Sequence, residues 1–365
     1  MTNQKISTVN AIMLTLSVVI SYITSSLPRL FINTTKSATL LNIIYNTVIV
    51  LFIILLLCKL LKKFPGLDLL DISNFLGGNT FKNIVGSLFI TYFIISSSMM
   101  LRSFCEDLVV VYYPLTKYVF IILMFIIAIS LVNNLNFTAT LNASSIIFPL
   151  VLISILLLFL GNFNNFSFKR IYPILGNSFY NTFILGLRNI GAFGGISYLY
   201  FLPSMLKKPE DFKKISVISV IFTGVFIFLC VATLLLMFSF FATTDEIIPL
   251  FSAARHIEFS SFFQRFESIF LLIWIISFCC YLSIACKFSG HLFSKMFNLS
   301  DINSILNIFA ILIFGVSLIP NNYAVSNLFE TYIYKYLRII ISFILGMTIL
   351  ILANLKKKKV GDKNQ

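Results

Sequence analysis

The sequence predicts an all-α integral membrane protein with ten transmembrane helices. Of its 365 residues, 59% are hydrophobic and only 11% are charged, whereas soluble domains average about 25% charged residues. Apolar runs of about 20 residues, the length that crosses a bilayer as a helix, follow one another along the chain. Because no stretch between them is long enough for a soluble domain, we expect one membrane domain over residues 1–365.

Hydropathy divides this domain into ten spans. They are 10–31, 38–60, 81–106, 115–133, 143–161, 179–203, 214–241, 264–290, 302–319 and 333–355. The first run lacks a basic segment and a cleavage site, so we expect a retained span rather than a signal peptide. The densest basic clusters, 207–214 and 356–359, lie on the side of both termini, which the positive-inside rule therefore places in the cytoplasm.

Two loops predict structure of their own. Residues 61–82 contain Asp68, Asp71 and the pair Gly77 and Gly78, a pattern that predicts a short interfacial helix followed by a turn. The longest outer loop, 242–263, mixes apolar residues with Arg255 and Glu258, as an amphipathic helix on the membrane surface would. Simple interfacial packing is the alternative for both loops.

Span six has the most unusual composition. Residues 188–203 include Arg188 and three glycines, Gly191, Gly194 and Gly195. Glycine inside a helix costs about 1 kcal/mol relative to alanine, so the cluster predicts that the backbone leaves the helix here. In hydrocarbon, the freed backbone groups must be satisfied by protein, water or a ligand, and transporters use such interruptions as substrate sites.

Spans one and six correspond if the ten spans form two halves of five. An odd number of spans in each half gives the halves inverted topology, and both spans contain helix-breaking residues. Span one has a polar patch at 21–26 followed by Pro28, which lacks a backbone donor. A matched pair of interrupted spans indicates a binding site at the membrane midplane, whereas close packing of small residues is the alternative. Span one contains no glycine and is the weaker member of the pair.

Other polar groups within the spans have two interpretations. Arg188 is a functional candidate because a charge in a span is costly, or else it snorkels or pairs near the outer third of the membrane. Glu106 and Asp107 end span three, while Arg265 and Glu267 begin span eight. We interpret these four as charge pairs near the outer interface rather than as a proton relay. The serines of span three, Ser96, Ser97 and Ser98, line a polar path or pack against small neighbours.

Composition also argues against several classes of function. The net charge of +14 comes from basic residues between apolar runs, a pattern that favours membrane lipid over nucleic acid. The six cysteines lie in or beside apolar runs, so we expect no disulfide, metal or cofactor. With two histidines and no paired carboxylates or nucleophile set in the membrane, we expect no enzyme.

Two stretches have a pattern that hydropathy alone does not produce. The first runs from Asn189 as Asn-Ile-Gly-Ala-Phe-Gly-Gly-Ile-Ser-Tyr-Leu-Tyr-Phe-Leu-Pro, and the second, from Ala254, includes Arg255, Ile257, Glu258, Phe259, Arg265, Glu267 and Trp274. Together they resemble the spore germination permease family, the B subunits of Ger-type germinant receptors in endospore-forming Firmicutes. The resemblance covers essentially the whole chain.

This resemblance implies an amino acid–polyamine–organocation superfamily fold with the five-plus-five inverted repeat. It also implies a germinant-binding role beside A and C subunits in the spore inner membrane. By position, the ligand would lie between the broken spans, against Tyr22, Ile23, Thr24 and Ser25 of span one and Gly191, Ala192, Phe193 and Gly194 of span six. Relatives commonly have a glycine near Ser21, and its absence leaves the extent of unwinding in span one open.

We therefore expect a small germinant, an amino acid in the first instance, to bind between spans one, three, six and eight. Ser97 and Met99 would contribute from span three, and binding would favour one arrangement of the broken helices. Two alternatives stay open. One is a secondary amino acid transporter coupled to H⁺ or Na⁺. The other is an assembly subunit with a vestigial pocket, whose outer loop and the Arg265 and Glu267 region contact partners.

Overall fold

The computed structural model describes residues 5–23, 27–176, 178–238, 248–257, 266–299, 303–330 and 335–362. Within these ranges every regular element is a helix, apart from an isolated bridge between Ile6 and Leu206. The α-helices are α1 Thr8–Ile23, α2 Leu27–Thr35, α3 Thr39–Leu61, α4 Leu69–Val111, α5 Tyr118–Asn133, α6 Phe137–Gly161, α7 Phe212–Met237, α8 Pro249–Arg255, α9 Phe266–Phe297, α10 Asn303–Ser317, α11 Tyr323–Leu328, α12 Lys335–Ile339 and α13 Gly346–Asp362.

Two regions depart from α-helical winding. Before α7, a π-helical turn at Tyr180–Ile184 leads into a 3₁₀-helix at Leu185–Phe201, which we call the glycine segment. A second π-helical turn, Ile340–Leu345, joins α12 to α13. The remaining short 3₁₀ turns are Lys36–Ala38, Phe163–Asn165, Phe168–Ile171, Pro203–Met205 and Pro209–Asp211.

Helical residues occur in each of the ten predicted spans. Six stretches are long and apolar enough to cross a membrane: Leu27–Leu61, Leu69–Val111, Phe137–Gly161, Pro209–Met237, Phe266–Phe297 and Lys335–Lys359. Shorter apolar helices lie at Thr8–Ser21, Tyr118–Asn133 and Ile305–Ser317. The all-helical membrane class is thus confirmed, while ten crossings and the inverted repeat stay predictions.

The start of α4 follows from local sequence. The Asp68 carboxylate accepts from the Asp71 amide at 3.0 Å, and the Asp71 carboxylate accepts from the Asp68 amide at 3.2 Å. This capping box satisfies amides that the first helical turn leaves unpaired. The helix then bends at Gly77 and Gly78, where Gly78 has a φ of 73° that glycine adopts without a steric penalty. The short helix and turn predicted for this loop are present.

Both described chain ends lie at one end of the helix bundle, which we call the terminal end. The Ile6 amide donates to the Met205 carbonyl at 2.8 Å, and Lys357 Nζ donates to the Lys63 carbonyl at 2.6 Å. Ser204 Oγ donates to Asp68 at 2.8 Å, which connects these two regions. Termini on the same side agree with an even number of spans.

Aromatic packing fixes the end of the glycine segment against α4. The rings of Phe93 and Tyr198 stack with centroids 4.2 Å apart, and Phe89 meets Phe201 edge to face at 4.9 Å. All four side chains are fully buried. Such pairs stabilise beyond their buried area by about 1 kcal/mol each, so this end of the segment is held in place.

Candidate functional site

The glycine segment lacks α-helical winding along its whole length. Its 3₁₀ turns run from Leu185 to Phe201, and Phe193 has a non-helical φ of −87° with ψ of 16°. Runs of 3₁₀-helix longer than three or four residues are uncommon and often mark a functional hinge. The sequence predicted a departure near residues 191–195, whereas the structure begins it at Tyr180.

Buried amides of α3 hold the first part of the segment. Asn42 Nδ2 donates to the Thr182 carbonyl at 2.9 Å, and Asn46 Nδ2 donates to the Gly186 carbonyl at 3.1 Å. Asn189 Nδ2 donates to Asn42 Oδ1 at 3.1 Å and completes the network. These donors meet carbonyls where the π turn gives way to 3₁₀ winding, in a setting where unsatisfied backbone groups are costly.

Sequence reasoning missed these asparagines, although a signal exists. Asn42 and Asn46 are four residues apart and therefore share one face of an otherwise apolar helix. Buried polar side chains in a membrane helix face other helices rather than lipid.

Side chains from the last predicted span hold the second part of the segment. Arg338 Nη1 donates to the Gly191 carbonyl at 3.2 Å, and Ser342 Oγ donates to the Gly194 carbonyl at 3.0 Å. The Tyr92 and Ser342 hydroxyls lie 3.4 Å apart. Arg338 is only 7% exposed, so a cation is buried against the glycines. Neither Arg338 nor Ser342 was among the predicted site residues.

The glycines decide which neighbours approach. A Cβ on Gly194 would overlap Cγ and Cδ of Arg338 and lie 3.4 Å from the Tyr92 hydroxyl. A Cβ on Gly195 would lie 2.6 Å from Val19 Cγ2 in α1, while one on Gly191 would make an ordinary 3.6 Å contact with Ile339. Gly194 therefore faces α12 and α4, and Gly195 faces α1.

A mostly apolar groove of about 590 Å³ borders this layer. Four polar residues of α4 line it at every fourth position, namely Asn79, Asn83, Ser87 and Thr91. The same groove reaches Tyr92 and Ile341, beside the hydroxyl pair formed with Ser342. Its volume is in the range of small-molecule sites.

Comparison with known proteins identifies the family. A family model described as "Spore germination protein" matches residues 5–325. The chain belongs to the spore germination protein family. It is also similar to "Spore germination protein YndE" of Bacillus subtilis (strain 168), with 22% identity over 280 residues that cover 74% of this chain and 76% of that protein. The chain is a germination-related, transporter-like integral membrane protein, and the resemblance drawn from the two motifs is confirmed.

In this germination protein, the predicted ligand residues of span six are all buried. Tyr22 and Ile23 end α1, but their side chains lie outside the described residues, as do Thr24 and Ser25 entirely. The described part of α1 packs on the glycine segment, and Val18 and Val19 lie beside Gly195. Ligand binding between spans one and six stays a prediction.

The two predicted residues of span three are also buried. The Ser97 hydroxyl of α4 lies 3.4 Å from the Tyr281 hydroxyl of α9. Met99, which is also on α4, is 6% exposed. This connects spans three and eight, which the germinant hypothesis places on either side of a ligand.

The predicted charge network is distributed over several places. Arg188 is exposed, and its guanidinium lies 6.0 Å from the Tyr336 ring. Glu106 pairs within α4, since Arg102 Nε donates to its carboxylate at 2.5 Å while the guanidinium stacks 3.5 Å above the Tyr118 ring.

The remaining charged residues lie near α8 and the start of α9. Asp107 lines a small cavity of about 20 Å³ with Phe251 and Trp274. Arg255 is exposed at the end of α8, and Glu267 lies half-buried in the first turn of α9. Glu258 and Arg265 lie outside the described residues, so the charge pairing and partner contacts predicted for this region stay predictions.

Proposed function

We propose that this germination protein binds a small germinant, an amino acid, at the glycine segment and signals its presence to partner subunits. The supporting observation is that two side chains, Arg338 and Ser342, donate to the Gly191 and Gly194 carbonyls. Side-chain donors exchange for a ligand without unfolding a helix. A ligand ammonium would replace Arg338 at the Gly191 carbonyl, and the released guanidinium would pair with the ligand carboxylate through two parallel hydrogen bonds.

This exchange gives the segment two arrangements. In one, Arg338 binds the segment; in the other, the ligand lies between them. A ligand shifts the equilibrium only by its differential affinity for the two arrangements, and the ligand proposed here binds the second one alone. The change in position of α12 and the segment would be the signal.

The assembly belongs to the same proposal. We infer a receptor rather than an enzyme, working with A and C subunits in the spore inner membrane. Ten spans with both termini on the core side agree with the shared location of the described chain ends and with the basic residues there.

The test compares two alanine substitutions in one segment. In Gly194→Ala the new Cβ would overlap Arg338, whereas in Gly191→Ala it would make an ordinary contact with Ile339. Spores with each variant are exposed to a panel of amino acids, and release of core ions is followed. We expect Gly194→Ala to lose the response and Gly191→Ala to keep it, with equal amounts of protein in the membrane. An equal response from both variants would overturn the assignment.

The row of polar α4 side chains in the groove favours a second candidate, a secondary amino acid transporter coupled to H⁺ or Na⁺. Asn79 lies at the terminal end of the groove and Tyr92 near its other end, so a row of polar side chains on α4 leads toward Ser342. Uptake of labelled amino acids into proteoliposomes with only this subunit decides between the two. Flux driven by an ion gradient supports transport, and binding without flux supports the receptor.

A further inference from the structure

Another cavity opens at the terminal end, away from the glycines. It has a volume of about 590 Å³ and lies between the end of α3 and the start of α7. Its buried wall is apolar, with Cys58, Leu61, Phe64 and Phe212. Its exposed lining includes three lysines, Lys59, Lys62 and Lys213. We call it the lysine cavity.

The packing of α3 on α7 places these lysines together. A Cβ on Gly224 would lie 2.6 Å from the Thr47 side chain, so the two helices approach closely near their centres. Lys59 and Lys62 are three residues apart and share one face at the end of α3. Lys213 joins them from the first turn of α7.

The three ammonium groups have no partner in the part of the chain that the structure describes. They make neither a hydrogen bond nor an ion pair there, and Glu210 supplies a single carboxylate to the lining. Neighbouring lysines behave differently, since Lys356 donates to the Phe75 carbonyl at 3.0 Å and Lys357 to that of Lys63 at 2.6 Å. Three like charges around one cavity repel each other, and a bound anion would relieve this repulsion.

The wall of the cavity points to the kind of anion. A soluble phosphate needs donors alone, whereas here an apolar surface accompanies the lysines. Leu55 lines the cavity and is 45% exposed on the lipid-facing side of α3, next to Phe52 at 71%. The cavity is therefore continuous with the surface that acyl chains contact. Basic pockets between transmembrane helices at the cytoplasmic side take anionic lipid headgroups.

We infer that the lysine cavity binds one anionic phospholipid. The phosphate pairs with Lys59, Lys62 and Lys213, and an acyl chain lies along Leu55. Pro203, two residues after the end of the glycine segment, also lines the cavity. The bound lipid therefore stabilises the end of that segment.

The experiment measures lipid retention by the full chain. The protein is reconstituted in nanodiscs of phosphatidylcholine with or without phosphatidylglycerol, and bound phosphatidylglycerol is counted by native mass spectrometry after release. The test variant is Lys59→Gln, Lys62→Gln and Lys213→Gln combined. The matched control combines Lys207→Gln, Lys208→Gln and Lys214→Gln, three exposed lysines of the same end that do not line the cavity.

We expect the test variant to lose about a hundred-fold in affinity for phosphatidylglycerol, at about 1 kcal/mol for each lysine. The control should lose far less. Equal losses in the two triple variants would overturn the site in favour of general surface charge, and so would a wild-type protein with no preference for phosphatidylglycerol.

The variant Leu55→Trp distinguishes a bound lipid from a bound free phosphate. It also tests the proposal if the triple lysine variant does not fold. It fills the apolar wall and leaves the lysines in place, so it should weaken phosphatidylglycerol binding. Inorganic phosphate at millimolar concentration should compete poorly. Full competition by inorganic phosphate, together with unchanged binding in Leu55→Trp, would show a soluble-anion site and overturn the lipid assignment.

Discussion

Arg338 explains why the glycine segment needs a glycine at position 194. A buried cation in a membrane protein is costly, and by default it indicates function. Hydropathy places Arg338 near the start of the last span, where a basic residue beside the interface is ordinary. Its burial depends on Gly194, which leaves room for the Cγ and Cδ of the arginine. That contact joins residues 144 positions apart in sequence, so a local pattern cannot reveal it.

Removing the Arg338 side chain should destabilise the protein, because the Gly191 carbonyl loses a donor and a buried volume empties. We expect Arg338→Ala to lower the free energy of unfolding by about 2–4 kcal/mol. The measurement is the thermal transition of the purified protein in detergent. Arg188→Ala is the control, since Arg188 is exposed on the same segment and should change stability by about 0.5 kcal/mol or less. Equal losses in both variants would contradict the role given to Arg338.

Among the elements, α3 and α4 show where sequence reasoning succeeds and where it stops. The start of α4 is set by Asp68 and Asp71, three residues apart, and its bend by two adjacent glycines, so a local pattern contains the whole signal. The α3 asparagines are equally visible in the sequence, but their acceptors lie in another span. Periodicity indicates that a polar face exists, and only the fold shows that it meets the π turn.

The α3 network should stabilise the first part of the glycine segment. In Asn42→Ala, the Thr182 carbonyl and the Asn189 amide lose a partner, which we expect to cost about 1–3 kcal/mol. Asn181→Ala, at an exposed position of the same π turn, is the control and should leave the thermal transition in place. If both substitutions have the same effect, the amide network does not hold the turn.

At the scale of the molecule, the terminal end is tied across four elements. Lys295 of α9 contacts Asp68 at 2.5 Å and Asp71 at 2.6 Å. Asp68 also accepts from Ser204, after the glycine segment, and the Ile6 bridge to Leu206 adds the chain before α1. Since the aromatic stacks hold the end of the segment at Tyr198 and Phe201, the part free to exchange partners is its middle, with Gly191 and Gly194.

Lys295 should therefore control how firmly the terminal end is fixed. The Asp68 side chain is fully buried, and removing the partner of a buried charge costs about 3–5 kcal/mol. In Lys295→Met we expect hydrogen exchange at the Ile6 and Lys207 amides, which form the bridge, to become at least about ten-fold faster, since each 1.4 kcal/mol of opening free energy corresponds to a factor of ten.

The control for this experiment is Lys208→Met, which removes an exposed ammonium from the same end and should leave exchange at the bridge unchanged. Equal acceleration in the two variants would attribute the effect to lost surface charge. Unchanged exchange in Lys295→Met would mean that the bridge holds without the ion pairs. The fixed end of the glycine segment would then be set by its aromatic stacks on α4, and Phe93→Leu rather than Lys295→Met would loosen it.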